Sequence, residues 1–328
     1  MYFNLFIKYF ITLLLLIITM LSMFINDLLN IWLIMEINNF LFISYISFSM
    51  KNKKMIFFYY IIQIIPSMIL IFSISLNNMN LFNKHFLNLL ILLSLMIKLG
   101  IPPFHFWMVS LSSYMNWNLL FFMLTIQKII PFYILSMINI PNYFLLMSLY
   151  MCSLIPPIMM INLTNLKKLL TYSSINQLGW MIMLIYLKNI IWLYYLIMYI
   201  MISLLIFFTL SYNKIYNNFL ENNTLNNMII LMMMLNMASM PPFSFFIFKW
   251  FSVFILIFNS NLFFMLMIMM ISSFLMFLMY INMIYLSMFI NMSKSKMIYL
   301  TNVQSNFTYL KSLYLFMIMS ISLFILII

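Results

Sequence analysis

From Leu5 to Ile328 the chain is a succession of apolar runs, each close to the ~20 residues that a helix needs to cross a bilayer. Short polar clusters separate them. That pattern constrains the fold more than any motif does, because lipid offers no partner to an unpaired backbone group. The runs must be helices that satisfy their own N–H and C=O groups. Segmenting at the polar clusters gives eleven candidates, 5–25, 28–49, 55–76, 86–114, 117–138, 143–162, 168–187, 190–211, 226–257, 261–289 and 312–328. With 67% hydrophobic and only 5% charged residues, the chain lacks the polar surface to cover a water-soluble globule. An all-α polytopic membrane protein is expected. Residues 5–25 read as a permanent helix and not as a cleaved leader, since the run is too long and is followed by Asp27 and another apolar run.

The loops carry their own information. All fifteen cations are lysines, and the net charge is +12. In a soluble chain this would suggest nucleic acid. Here the lysines read as loop charges that orient helices, and no nucleic acid is expected. With strict alternation, ten fall on one side: Lys8, Lys51, Lys53, Lys54, Lys167, Lys168, Lys214, Lys294, Lys296 and Lys311. Lys84 and Lys188 fall on the other, and three are intramembrane. The crowded side is the cytoplasm or its mitochondrial equivalent, the matrix. The N-terminus is then expected on the matrix side and the C-terminus on the intermembrane-space side. Lysine without arginine, amid abundant Asn, Ile, Met, Phe and Tyr, points to AT-rich codons and an organelle genome.

Several chemistries are excluded for the chain by itself. One cysteine, Cys152, cannot hold an iron–sulfur cluster, which needs about four thiolates. The two histidines, His85 and His105, are too far apart for a local metal motif. Two glycines, Gly100 and Gly179, leave no phosphate-binding loop. No cofactor or metal is expected in this chain.

Two runs, 86–114 and 226–257, are too long for one straight span, and each carries a proline pair near its middle. IPPF holds Pro102 and Pro103 behind Gly100, and MPPF holds Pro241 and Pro242. A double proline breaks a helix, and a break in lipid survives only inside a bundle or beside water. The broken runs are the fourth and the ninth, five apart. Matching interruptions point to two inverted repeats with a functional site at the midplane. The plainer alternative is a pair of kinks in long tilted helices. The expected units are 1–138 (helices one to five), 139–290 (helices six to ten) and 291–328 (a matrix loop and a final helix). A third pair, Pro156 and Pro157, reads as a local kink in helix six.

Four ionisable residues lie inside apolar runs: Glu36, Lys98, Lys128 and Lys249. A charge at a helix centre costs ~2.5–3.5 kcal/mol, so four come to roughly 10 kcal/mol if the costs add. A role in function offsets that cost best. The alternatives are a structural ion pair for the first three, and snorkelling toward an interface for Lys249. Burial disfavours a charged form and a nearby opposite charge restores it. At ~6 Å and an effective dielectric near 20, a pair attracts by ~2.8 kcal/mol. Moving one charge can therefore load or unload a lysine's proton. A row of such groups is a proton relay that needs no metal. The segment LKKLLTYSSINQLGWM adds Thr171, Tyr172, Ser173, Ser174, Asn176 and Gln177, six polar residues in seven positions. They can hold a water wire, with helix packing by small polar residues as the alternative. His105 could join that wire or cap the broken turn.

At WLIMEINNF, KLGIPPFHFW, QKIIP, NLKKLLTYSSINQLGWM and MPPFSFFIFKW the chain resembles the subunit 2 family of mitochondrial NADH dehydrogenase (ubiquinone), respiratory complex I. These stretches fall in order across residues 32–250. The resemblance implies an antiporter-like subunit with two inverted five-helix repeats and a final helix. It implies that Glu36, Lys98, Lys128 and Lys249 form the proton-pathway axis. It also implies the mitochondrial inner membrane and other membrane-arm subunits as partners, including sister antiporter-like subunits. NADH, FMN, Fe-S clusters and ubiquinone would belong to partner subunits. The chain departs from the family pattern at Gln177, where histidine is common, and at Ser239, Phe245 and Phe248, which replace glycines and a proline around the second break. Pro102 is an additional proline at the first. Two rival readings are a free-standing cation/proton antiporter, disfavoured because Glu36 is the one available intramembrane acid, and a structural subunit whose charges merely pair.

Overall fold

A computed structural model describes residues 2–79, 83–138, 142–161, 163–212, 233–241, 243–257 and 262–295. Pro242, part of the run 226–257 and the whole of 312–328 lie outside the described residues. Among the described residues every regular element is helical. Six helices are long and apolar enough to cross a membrane. Large apolar side chains such as Phe10, Phe57, Phe72, Phe208 and Phe274 face outward. This is how a multi-pass helical membrane protein meets lipid.

Residues 1–138 contain α1 (Tyr2–Ser22), α2 (Leu28–Ser49), α3 (Lys53–Asn78), α4 (Lys84–Leu99), α5 (Phe106–Ser112), α6 (Trp117–Leu124) and α7 (Ile126–Met137). Next come α8 (Asn142–Met160), α9 (Leu166–Tyr186) and α10 (Ile191–Tyr212). Residues 233–237 are helical (α11), followed by α12 (Ser244–Ile257) and α13 (Phe263–Ser295).

Among the described residues the apolar runs and the helices coincide with two differences. The fifth run, expected as one helix over 117–138, is interrupted at Thr125. Thr125 leaves helical geometry there (φ −121°, ψ −75°), while its hydroxyl and its N–H both donate to the Phe121 carbonyl, at 2.7 and 3.1 Å. Pro156 and Pro157 lie inside α8, which runs through them as one helix. The tenth helix continues to Ser295, beyond the boundary at 289, and so includes Lys294.

The breaks are built as caps. Gly100 is left-handed at φ 67°, and its N–H donates to the Ile97 carbonyl at 3.2 Å. The Ile101 N–H donates to the Met96 carbonyl at 3.0 Å, which completes a Schellman end to α4. The Trp107 indole N–H donates to Ile97 as well, at 3.1 Å. The end carbonyls of Met96 and Ile97 thus find donors inside the bundle. The second break repeats the turn with a serine in place of the glycine. Ser239 stands at φ 57°, its N–H donates to Asn236 at 2.9 Å, and that of Met240 donates to Leu235 at 3.3 Å.

The helix α9 lies at the centre. It packs against α5, α6, α8, α10, α12 and α13. Nineteen of its twenty-one residues are buried, although it carries the polar row 171–177. A polar helix buried on every side needs polar partners on its neighbours. Gly179 lets α8 come close, since a Cβ there would stand 3.2 Å from the Cβ of Cys152.

Candidate functional site

Glu36 and Lys98, 62 residues apart in sequence, meet as an ion pair at 3.0 Å. The amide of Asn39 donates to the same carboxylate oxygen at 3.3 Å. The lysine is the last residue but one of α4, so the break after Leu99 fixes where it stands. Its side chain is 2% exposed and that of Glu36 is 15% exposed. The acid therefore faces partly out of the bundle while the amine faces in.

Lys128 sits three residues after the Thr125 interruption, and its ammonium donates to the Ser174 hydroxyl of α9 at 3.2 Å. Ser174 donates in turn to the Thr171 carbonyl at 2.7 Å. The Tyr199 hydroxyl of α10 faces the same serine. The buried thiol of Cys152 is near enough to interact with the amine.

Lys98 and Lys128 line one cavity together with Asn38, Asn39, Gln63 and Gln127. Its walls include Tyr59 and Trp107, and it offers about 10 Å³ to the centre of a water molecule. That is room for one water.

Lys249 does not reach toward an interface. Its ammonium donates to the Ser239 hydroxyl at the second break, at 2.7 Å, and the residue is 7% exposed. The ring centres of Trp180, on α9, and of Phe245 lie 5.8 and 5.9 Å away, within reach of a cation–π attraction. Asn236 steadies this region by accepting from the Phe245 N–H at 3.3 Å.

The polar row on α9 is divided among neighbours. Ser173 faces the Tyr280 hydroxyl of α13. Gln177 accepts a short hydrogen bond from the Tyr195 hydroxyl. Asn176 is fully buried, and neither of its amide atoms has a partner among the described residues. Tyr172 lies 6.0 Å, ring to ring, from His105. The cap at the start of α5 is made by the His105 carbonyl, which accepts from Met108 at 3.1 Å, while its side chain makes no capping bond. Pro102, Pro103 and Pro241 sit in the turns of the two breaks.

The geometry therefore joins Glu36 to Lys98, sets Lys98 and Lys128 on one cavity, and ties Lys128 and Lys249 each to α9. Bonds of this kind can hold protonated amines in a dry bundle and let waters connect them. A family model for the transmembrane region of NADH:quinone oxidoreductase and Mrp antiporters matches residues 25–276, most of the chain. The chain belongs to this antiporter-like family.

Relatives within the family agree. The chain is 35% identical over 281 residues to the NADH-ubiquinone oxidoreductase chain 2 of Rhipicephalus sanguineus, covering 84% of this chain and 88% of that protein. It is 34% identical to the protein of that name from Anopheles gambiae, where the match spans 53% of each chain. It thus covers about half the length of some relatives and most of others. Among solved structures, a chain of respiratory complex I from Thermus thermophilus superposes with a TM-score of 0.74 at 18% identity, over 85% of this chain and 70% of that one. A chain of the Mrp complex from Dietzia gives a TM-score of 0.69 at 15% identity, over 78% and 56%. At these identities the antiporter-like fold is what is shared.

Sequence reasoning missed the tyrosines Tyr195, Tyr199 and Tyr280. They sit in apolar runs where a tyrosine reads as one more aromatic. The amides Asn38, Gln63 and Gln127 were more legible, since each is an uncharged polar residue near the middle of a run.

Proposed function

We propose that the chain is a proton-translocating membrane-arm subunit of respiratory complex I, an H+-translocating NADH:ubiquinone reductase. Glu36, Lys98, Lys128 and Lys249 carry protons along its midplane, and His105, Tyr172, Ser173, Ser174, Asn176 and Gln177 support the water path. The fold is eleven spans, with inverted repeats at 1–138 and 139–290 and a matrix loop and final helix at 291–328. It resides in the mitochondrial inner membrane with its N-terminus in the matrix. Its partners are other membrane-arm subunits, including sister antiporter-like subunits. NADH, FMN, Fe-S clusters and ubiquinone belong to partner subunits.

The observation that carries this reading is the Glu36–Lys98 pair at 3.0 Å, opening onto a cavity that Lys128 shares. A carboxylate that leaves Lys98 removes the charge that favours its protonated form. The proton can then pass toward Lys128. Moving one charge against the membrane potential costs ~2.3 kcal/mol per 100 mV. Redox chemistry in the partner subunits supplies that energy.

The test is a native gel of mildly solubilised membranes, stained for NADH oxidation, with peptides of the active band identified by mass spectrometry. The chain is expected in that band. A chain migrating alone and moving cations in liposomes overturns the assignment in favour of a free-standing antiporter.

A further inference from the structure

A second hollow lies where four helices meet, and none of the residues assigned to the proton path lines it. The first turns of α1, the end of α2, the start of α6 and the last turns of α10 enclose an open groove of about 440 Å³. Its polarity is ordered along the helices. Lys8, Ser49, Asn116 and Asn118 stand toward the helix ends. One turn further into the spans come Tyr45, Phe121 and Phe122, with Leu204, Phe207 and Phe208 of α10 opposite them. The rings adjoin one another: Tyr45 lies 5.3 Å from Phe122, Phe122 lies 5.5 Å from Phe121, and Phe121 lies 6.1 Å from Phe207. The floor is thus a run of aromatic faces below a polar mouth.

The mouth is built for an anion. The Ser49 hydroxyl donates to the Tyr45 carbonyl of its own helix at 2.8 Å, which leaves the Lys8 ammonium and the amides of Asn116 and Asn118 as donors. Among the described residues none of these three has a hydrogen-bond or ion-pair partner. α6 starts at this mouth with no side-chain cap, and the start of a helix carries partial positive charge. Lys167 adds a second cation beside the same helix start, 5.4 Å from the centre of the Trp117 ring. No carboxylate lines the groove among the described residues.

We propose that this groove binds one anionic phospholipid, its phosphate held by Lys8, Asn116 and Asn118 and its acyl chains laid along the aromatic floor. The order of the groove is that of the lipid, with a charged group at the helix ends and apolar chains deeper in the span. A protein helix crossing the same groove would bring apolar side chains to both levels and leave three donors unpaired, a costly arrangement. The absence of a carboxylate selects among lipids, because the ammonium of a zwitterionic headgroup would meet cations and no partner. In the proposed topology the mouth lies on the lysine-rich face, where basic groups between helices recognise lipid phosphates. The proposal is independent of the proton relay, since neither Glu36 nor the midplane lysines enter it.

The test uses the native complex that holds this chain, placed in phosphatidylcholine nanodiscs with a few mole per cent of a phospholipid carrying a photoreactive acyl chain. Peptides labelled on illumination are identified by mass spectrometry. A phosphatidylglycerol probe is expected to label the peptides containing Phe121, Phe122, Phe207 and Phe208 at least fivefold more than a phosphatidylcholine probe with the same chain. Lys8→Gln is expected to remove that preference, and Lys8→Arg to keep it. Equal labelling by both probes in the unsubstituted complex means that ordinary bilayer lipid fills the groove, and overturns the proposal. Labelling of other lipid-facing peptides but not of these means that a partner subunit covers the groove, and overturns it as well. Should Lys8→Gln fail to assemble, a density map of the unsubstituted complex decides. Two-tailed density with its phosphate within hydrogen-bond distance of Lys8 supports the site, and protein density in the groove rejects it.

Discussion

The residues around Lys249 separate backbone strain from chemistry. Ser239 is left-handed, a conformation that costs a non-glycine residue about 1–2 kcal/mol, yet its hydroxyl accepts from the Lys249 ammonium at 2.7 Å. Gly100 does the same backbone job at the first break without strain. Ser239→Gly should therefore hold or raise the temperature of inactivation of the complex while lowering its proton-to-electron ratio. Ser239→Ala should lower both. If Ser239→Gly pumps normally, the hydroxyl is a packing partner and Lys249 needs another. Glu36 and Lys98 allow a similar separation. Removing one partner of a buried pair costs about 3–5 kcal/mol, because the other charge is left alone. Glu36→Gln should thus lose both heat stability and pumping. Glu36→Gln combined with Lys98→Met should recover the stability but not the pumping. Recovery of both would make the pair structural only. These residues were legible in the sequence because a charge in an apolar run is expensive wherever it sits. Their pairing was not, since a contact between residues 36 and 98 depends on how α2 lies against the break.

At the scale of the element, the breaks were readable and the packing was not. Two prolines in a run must end a helix when the run is too long to need them, as at IPPF. They did not end α8, where Pro156 and Pro157 lie close to the helix end at Met160. Thr125 gave no warning, since threonine is tolerated in most helices and its hydroxyl bonds a carbonyl of its own turn without a break elsewhere, as Thr171 does in α9. The close approach of α8 and α9 was hidden as well, in a lone glycine. A Cβ at Gly179 would stand 3.2 Å from the Cβ of Cys152. Membrane helices associate through such small-residue contacts. Gly179→Ala should destabilise the subunit by about 1–3 kcal/mol, as overpacking does, and move Cys152 away from Lys128. Cys152→Ala should not rescue it, because the Cβ remains. Cys152→Gly should. The thermal stability of the double substitution, set against each single one, checks this coupling.

For the whole molecule, the lysines carry the expectation about topology. The ten-to-two lysine distribution rests on counting spans, and two exposed lysines stand at helix starts where it can be tested. Lys54 lies at the start of α3 and Lys84 at the start of α4, and both are exposed. α3 runs 26 residues, enough to cross the hydrocarbon core, so the two are expected to open on opposite faces. The single native thiol is buried at 0% exposure and stays silent to a charged reagent. Lys54→Cys and Lys84→Cys can therefore be compared directly with a membrane-impermeant maleimide. In mitochondria stripped of their outer membrane, the position 84 variant should label and the position 54 variant should not. In inverted inner-membrane vesicles the order should reverse. Labelling of both from one face means that α3 does not span, which undoes the alternation on which the inverted repeat depends. Opposite faces in the reversed order would put the lysine-rich loops outside, against the charge bias that orients membrane helices.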